Sequence, residues 1–191
     1  ASAASCTWRV FELVIDWLCA HCDAAMRDNA SGCLALLEAL SLLPDDAAAR
    51  GPVATARPPA RLEEVAGAPP VLLDVAHNVE SVVRLRAWLE SEPAEGGNTL
   101  VFGVMRDKPV DAMLAQLAPV TARWIAVAAD GGRPLEADLL ARHMAQASGL
   151  PARIAGSPAA GLREARRLTP EAGRIVIAGS FPVVGAVRAR L

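Results

Sequence analysis

From Arg61 onward the chain alternates between short apolar runs and stretches where apolar residues recur every three or four positions. Val71 to Val75 is a β-branched-rich run closed by a polar cluster of Asp74, His77 and Asn78. Such a run predicts a strand buried on both faces and opening into a loop. A helix is expected next, from Glu80 to Ser91, with Val82, Val83, Leu85, Ala87 and Leu89 on its apolar positions. The same rhythm continues. Strands are expected at Arg61 to Val65, Thr99 to Val104, Arg123 to Ala129, Ala152 to Ala155 and Arg174 to Ala178. Helices are expected at Val110 to Leu117, Leu135 to Ser148, Ala159 to Leu168 and Val183 to Leu191. Strands and helices alternating at this spacing imply right-handed βαβ crossovers. The fold class is therefore α/β: a Rossmann-like, mostly parallel sheet flanked by helices, with the strand order left open.

The first part of the chain has no such rhythm. Residues 1–28 mix periods around Trp8, Phe11, Val14 and Leu18, compatible with an amphipathic helix or a short strand pair. Asp28, Asn29 and Ser31 offer N-cap residues for an apolar helix from Cys33 to Leu42, ended by Pro44-Asp45-Asp46. GPVATARPPA, residues 51–60, is rich in Pro and Gly and reads as a linker. The expected organisation is a poorly defined segment 1–50, the linker 51–60 and a domain 61–191. The chain begins at Ala1 rather than Met, which suggests a processed chain or a fragment of a longer one.

Composition narrows the function classes. A 53% hydrophobic content with 21% charged residues fits a globular chain with a proper core. A formal charge of −2 carries no basic footprint, so nucleic acid is not the expected partner. No apolar run reaches membrane-spanning length and no signal-like start is present, so no membrane is expected and a cytoplasmic location is. Cys19-Ala-His-Cys22 is a lone CxxC without a second pair, and reduced, inert thiols are the simpler reading.

The chemistry concentrates at strand ends. The 191 residues contain neither GxxxxGK[ST] nor GxGxxG, so the usual phosphate-holding loops are not among them. Gly179-Ser180-Phe181 lacks the second glycine of a nucleophile elbow. His143 falls mid-helix with no special role, and Asp107-Lys108 reads as a solvated loop pair. Asp74 and His77 sit at a strand's carboxyl end, where α/β sheets present ligand-binding groups. A structural role is the alternative, with Asp74 capping the following helix and His77 packing against it. Ser180 ends the fifth strand on the same rim, and could be no more than an N-cap.

Three motifs in order carry a resemblance: Leu73-Asp74-Val75-Ala76-His77-Asn78, then Val101-Phe102-Gly103-Val104-Met105 with Asp107-Lys108, then Gly179-Ser180-Phe181. Together they resemble the carboxy-terminal domain of bacterial folylpolyglutamate synthase/dihydrofolate synthase, a branch of the Mur ligase superfamily. The likeness is good from residue 57 to 191, fair from 28 to 50 and poor before that. Residues 1–50 would then be a remnant of the family's central ATP-binding domain.

The resemblance implies an ATP- and Mg²⁺-dependent ligation of L-glutamate to dihydropteroate or a reduced folate through an acyl phosphate. It implies that Asp74 holds the nucleotide ribose, that Arg61 reaches ribose and phosphates, and that Asn78 shapes the loop. His77 and Ser180 would place the incoming glutamate, so His77 and Asp74 are the candidate catalytic residues. No metal ligand is assigned within the chain, because ATP and Mg²⁺ are held mainly upstream in the family. The partner expected is that amino-terminal domain, and the chain alone is expected to turn over little or not at all. Three positions depart from the pattern: Val79 replaces Pro after the His-Asn pair, Pro182 follows Phe181, and Pro59-Ala60 stands where a Gly precedes Arg61. Two other functions remain open: a Mur-type amide ligase acting on a cell-wall precursor, and a non-catalytic Rossmann-like binding module.

Overall fold

The computed structural model describes residues 58–191 except 130, together with residues 32, 35–37, 39 and 40. The chain divides into two compact units, Ala1–Arg57 and Pro58–Leu191. In the first, residues 32, 35–37 and 39 are helical and the Leu40 N–H donates to Leu36 O; all but residue 32 fall within the helix expected from Cys33 to Leu42. The CxxC at Cys19–Cys22, residues 1–28 and linker residues 51–57 lie outside the described residues. No helix among the described residues is long and apolar enough to cross a membrane.

The second unit is a six-stranded sheet with helices on both faces. Its elements are β1 (Glu63–Val65), β2 (Val71–Leu73), α1 (Val79–Ser91), β3 (Asn98–Phe102), α2 (Val110–Leu117), β4 (Arg123–Val127), α3 (Ala137–Ser148), β5 (Ala152–Ala155), α4 (Pro158–Leu168), β6 (Arg174–Ala178) and α5 (Phe181–Arg188). The spatial order is β1-β2-β6-β3-β4-β5. Only β1 runs antiparallel, at the edge beside β2. The mostly parallel, Rossmann-like class expected from the sequence is the one observed.

Residue alternation along the central strands explains why both faces are covered. Leu72, Leu100, Phe102, Trp124 and Val176 meet Val82, Leu85, Leu89, Met113, Leu117, Leu140 and Met144 of α1, α2 and α3. Their neighbours Leu73, Val101, Ile125, Val127, Ile175 and Ile177 meet Leu162, Ala165, Val183, Val184 and Val187 of α4 and α5. A strand apolar at every position can only sit between two such layers. Fully burying one Leu, Ile or Val contributes about 1.5–3 kcal/mol, so this sandwich is what fixes the register of the strand ends.

Four strands differ from the sequence reading: β3 is Asn98–Phe102 rather than Thr99–Val104, β4 ends at Val127 rather than Ala129, and the other two lie beside the candidate residues. β1 begins at Glu63 rather than Arg61, because Ala60 (φ 59°) and Leu62 (φ 48°) are left-handed and cannot extend a strand. β2 ends at Leu73 rather than Val75: the Asp74 N–H still donates to Ile177 O, but the Val75 N–H turns to Ala60 O (2.8 Å). The Ala60–Leu62 loop therefore folds over the end of β2, where the candidate residues lie.

Candidate functional site

The site is built on two adjacent strand ends. β2 and β6 pair in parallel, so the loops that follow them, 74–78 and 179–180, emerge side by side on one rim. The Gly179 N–H donates to Ala76 O (3.0 Å), tying one loop to the other. Gly179 has φ +108°, and a Cβ there would lie 2.5 Å from Gly103 O at the end of β3. Only glycine meets both demands.

Asp74 is half-buried and both its oxygens are engaged. Oδ2 accepts from the Leu62 N–H (3.0 Å) and Oδ1 from the Ala76 N–H (2.8 Å). Burial pushes its carboxyl above the ordinary carboxylate value, against those two N–H groups and the cations of Arg61 and Arg84. Asp74 does not cap the following helix, which was the structural alternative. That task belongs to Asn78, whose Oδ1 accepts from the Ser81 N–H (2.8 Å) while Ser81 Oγ accepts from the Asn78 N–H, a reciprocal capping box. The capping pattern is short-range and readable, but Asn78 lies where the sequence reading placed only a loop-shaping residue.

His77 is held from three sides. Its N–H donates to Ser81 Oγ (3.1 Å), its Nδ1 lies 2.8 Å from Val75 O, and its ring packs on Phe181 with centroids 5.4 Å apart. The packing partner is thus a residue 104 positions away rather than the helix beside it. Ser180 occupies the N-cap position of α5 but makes no side-chain cap bond. Its Oγ is buried with no partner among the described residues. An unpaired buried hydroxyl costs free energy, and a site that leaves one is poised for a polar ligand.

Arg61 is exposed, between the two left-handed residues and one peptide from the Leu62 N–H that binds Asp74. Its loop is braced by Glu63, which accepts from the Ala60 N–H (2.7 Å) and pairs with Arg188 (2.8 Å). That pairing with Arg188, and then the Ala60 N–H, hold the Glu63 carboxyl below its ordinary value. The sequence reading missed Glu63 and Phe181. Both act through partners more than a hundred residues away, and only the Phe after Gly179-Ser180 was visible as a motif. Elsewhere Lys108 pairs with Asp107 (3.2 Å) as a solvated loop pair, and His143 on α3 bonds Asp111 on α2 (2.6 Å).

Among the described residues no three His, Cys, Asp or Glu side chains converge to hold a metal ion. The rim instead offers a fixed carboxylate, an imidazole, a buried hydroxyl without a partner among the described residues, and an exposed guanidinium. That set can bind hydroxyl groups, an amine and anionic oxygens; it holds no activated nucleophile.

Three comparisons bear on what it binds. The sequence profile of the Mur ligase, glutamate ligase domain, matches residues 60–181. The Escherichia coli (strain K12) dihydrofolate synthase/folylpolyglutamate synthase is 32% identical over 118 residues, which cover 62% of this chain and 28% of that protein. Mycobacterium tuberculosis folylpolyglutamate synthase complexed with ADP superposes with TM-score 0.76 and 28% identity, over 87% of this chain and 40% of that one. A bifunctional folylpolyglutamate synthase/dihydrofolate synthase with Mn, AMPPNP and L-glutamate bound gives TM-score 0.74 and 29% identity, over 85% and 38%. The chain spans well under half the length of each of these relatives.

Proposed function

The chain belongs to the Mur ligase family through its glutamate ligase domain, and on that premise we propose that it is the carboxy-terminal part of an ATP-dependent ligase joining L-glutamate to dihydropteroate or a reduced folate. Residues 61–191 form the domain that closes on nucleotide and glutamate, 51–60 the linker, and residues 1–50 the end of the central ATP-binding domain. The observation that carries this is the convergence of three motif residues on one rim. Asp74 is fixed by two backbone N–H groups, and the Gly179–Ala76 bond pins the buried, unpartnered Ser180 hydroxyl to the same loop.

Each residue has a task set by its chemistry. A carboxylate has four lone-pair sites, of which the Leu62 and Ala76 N–H groups occupy two; the others suit the two hydroxyls of a ribose. Arg61, exposed beside it, offers a planar cation to phosphate oxygens. The Ser180 hydroxyl donates to a carboxylate oxygen of glutamate, and His77 presents its second ring nitrogen to the amine. Asn78 holds the loop by capping α1. These groups position and neutralise, which is how an amide ligation gains most of its rate.

ATP, when bound, supplies the phosphoryl group that activates the acceptor carboxylate. The fixed Asp74 carboxylate beside the exposed Arg61 guanidinium fits its ribose and phosphate chemistry. The divalent ion, proposed as Mg²⁺, finds no ligand set among the described residues. No GxxxxGK[ST] loop lies within the 191 residues, so the chain by itself is expected to turn over very slowly.

A ligase assay tests this reading. It contains the chain, ATP, Mg²⁺, labelled glutamate and dihydropteroate or a reduced folate, with and without a family polypeptide carrying the phosphate loop. Product is expected only in the supplemented reaction, and Asp74→Ala should lower it at least about tenfold at limiting ATP, the scale of one lost charge-assisted hydrogen bond to the ribose. Product formed equally well by Asp74→Ala would refute it.

A further inference from the structure

Resting on the reading of His77 as a site residue, we propose that Phe181 is a positioning residue. Its ring and the Val75 carbonyl together hold the His77 imidazole as the Nδ1–H tautomer, keeping Nε2 as the acceptor that meets the amine. The Nδ1–Val75 O distance is 2.8 Å. A carbonyl oxygen only accepts, so the nitrogen facing it carries the proton, and in the neutral ring Nε2 is then bare.

One hydrogen bond fixes one point of a ring and leaves it free to swing about that point. Phe181 supplies the second constraint, with its centroid 5.4 Å from that of His77 and the rings tilted by 48°. This is within the range of favourable aromatic pairs. Phe181 is itself held in place. It is the first residue of α5, which Ser180 enters in extended backbone and Pro182 follows, and the Val184 N–H closes the first turn on Ser180 O (3.1 Å). The Gly179–Ala76 bond then joins this helix start to the loop that carries His77.

Phe181 is 56% exposed, so folding gains little from it, while Val183, Val184 and Val187 of the same helix are fully buried. An aromatic residue left half in solvent with its ring against His77 acts on His77 rather than on the core.

The test is nitrogen-detected NMR of the histidine rings in the full 191-residue chain, about two pH units above the ordinary imidazole value of about 6.5. In the wild type His77 is expected to show a protonated Nδ1 and a bare Nε2. Phe181→Ala should remove the ring-current shift of the His77 ring protons and mix the two tautomers, and Phe181→Leu should do the same while keeping apolar bulk. Phe181→Tyr should restore the wild-type signature. His143, bonded to Asp111 on α2 and α3, reports in the same spectrum that each variant is folded. A wild-type His77 protonated on Nε2, or a tautomer unchanged in both Phe181→Ala and Phe181→Leu, would overturn the proposal. Because no substrate is present, failure here leaves the ligase reading standing, whereas failure of the ligase assay removes the amine as the partner of Nε2 and leaves only the tautomer assignment.

Discussion

Gly179→Ala is the substitution that stresses the site's scaffold most directly. Its backbone has φ +108°, a conformation that costs a residue with a Cβ about 1–3 kcal/mol. The new Cβ would lie 2.5 Å from Gly103 O, where ordinary contact begins at 3.4 Å, so the ends of β6 and β3 must part. Overpacking of this kind costs about 1–3 kcal/mol. Parting also strains the Gly103–Ala178 bond, already 3.3 Å, and the 3.0 Å Gly179–Ala76 bond. The total is about 2–6 kcal/mol. With an unfolding entropy of about 2.1 cal/mol/K per residue across the 58–191 unit, melting should fall by roughly 7–21 °C. Gly185→Ala is the matched control: it sits inside α5 with nothing among the described residues within 4 Å of its added Cβ. Removing the backbone freedom of that helical glycine should stabilise by about 0.5–1 kcal/mol. Thermal unfolding followed by circular dichroism compares the pair. A Gly179→Ala melting point within about 3 °C of wild type would refute the close-approach argument.

Two further variants separate function from stability. Because burial raises the Asp74 carboxyl above its ordinary value of 3.8, the folded state binds this proton more readily than the unfolded state. Its burial cost is absent in acid below that value and grows as pH rises through the folded value; it is fully present above both. Asp74→Asn should therefore gain stability relative to wild type as pH rises from about 3 to 7, read by denaturant unfolding across pH; a difference that is flat or of opposite slope would contradict the burial argument. Ser180→Ala removes a buried hydroxyl that has no partner among the described residues. Stability should stay level or rise by up to about 1 kcal/mol, while the concentration of glutamate needed in the supplemented ligase reaction rises. A loss of more than about 1 kcal/mol would mean that the hydroxyl is already bonded in the free protein.

The sheet was legible because its strands are apolar at nearly every position, a pattern that only burial between two helical layers permits. Arg174–Ala178 was read to the residue for that reason; Ala152–Ala155 matches its expected bounds too, although it is an edge strand with Arg153 and Ile154 exposed. The ends were less legible. Arg61–Val65 lost two residues to left-handed backbone at Ala60 and Leu62, and neither is a glycine that would have announced a turn. Val71–Val75 lost two because Val75 bonds Ala60, a contact set by the loop folding back rather than by any local preference. Asp74, His77 and Ser180 were visible as polar residues at strand ends, and β2–β6 pairing brings them to one rim. Their partners were not visible. Leu62, Phe181 and Glu63 act on the rim through contacts at long separation, where periodicity carries no signal.

The central claim is that the rim formed by residues 61–62, 74–78 and 179–181 is where nucleotide and glutamate bind. Backbone amide NMR of the chain, titrated with ADP and then L-glutamate, tests it most directly. Shifts are expected at the Leu62, Ala76, His77 and Ser180 amides, with ADP acting first around Asp74 and glutamate around Ser180, and Asp74→Ala should abolish the ADP response. Shifts centred instead on the opposite rim, at the starts of β3, β4 and β6, would contradict the account.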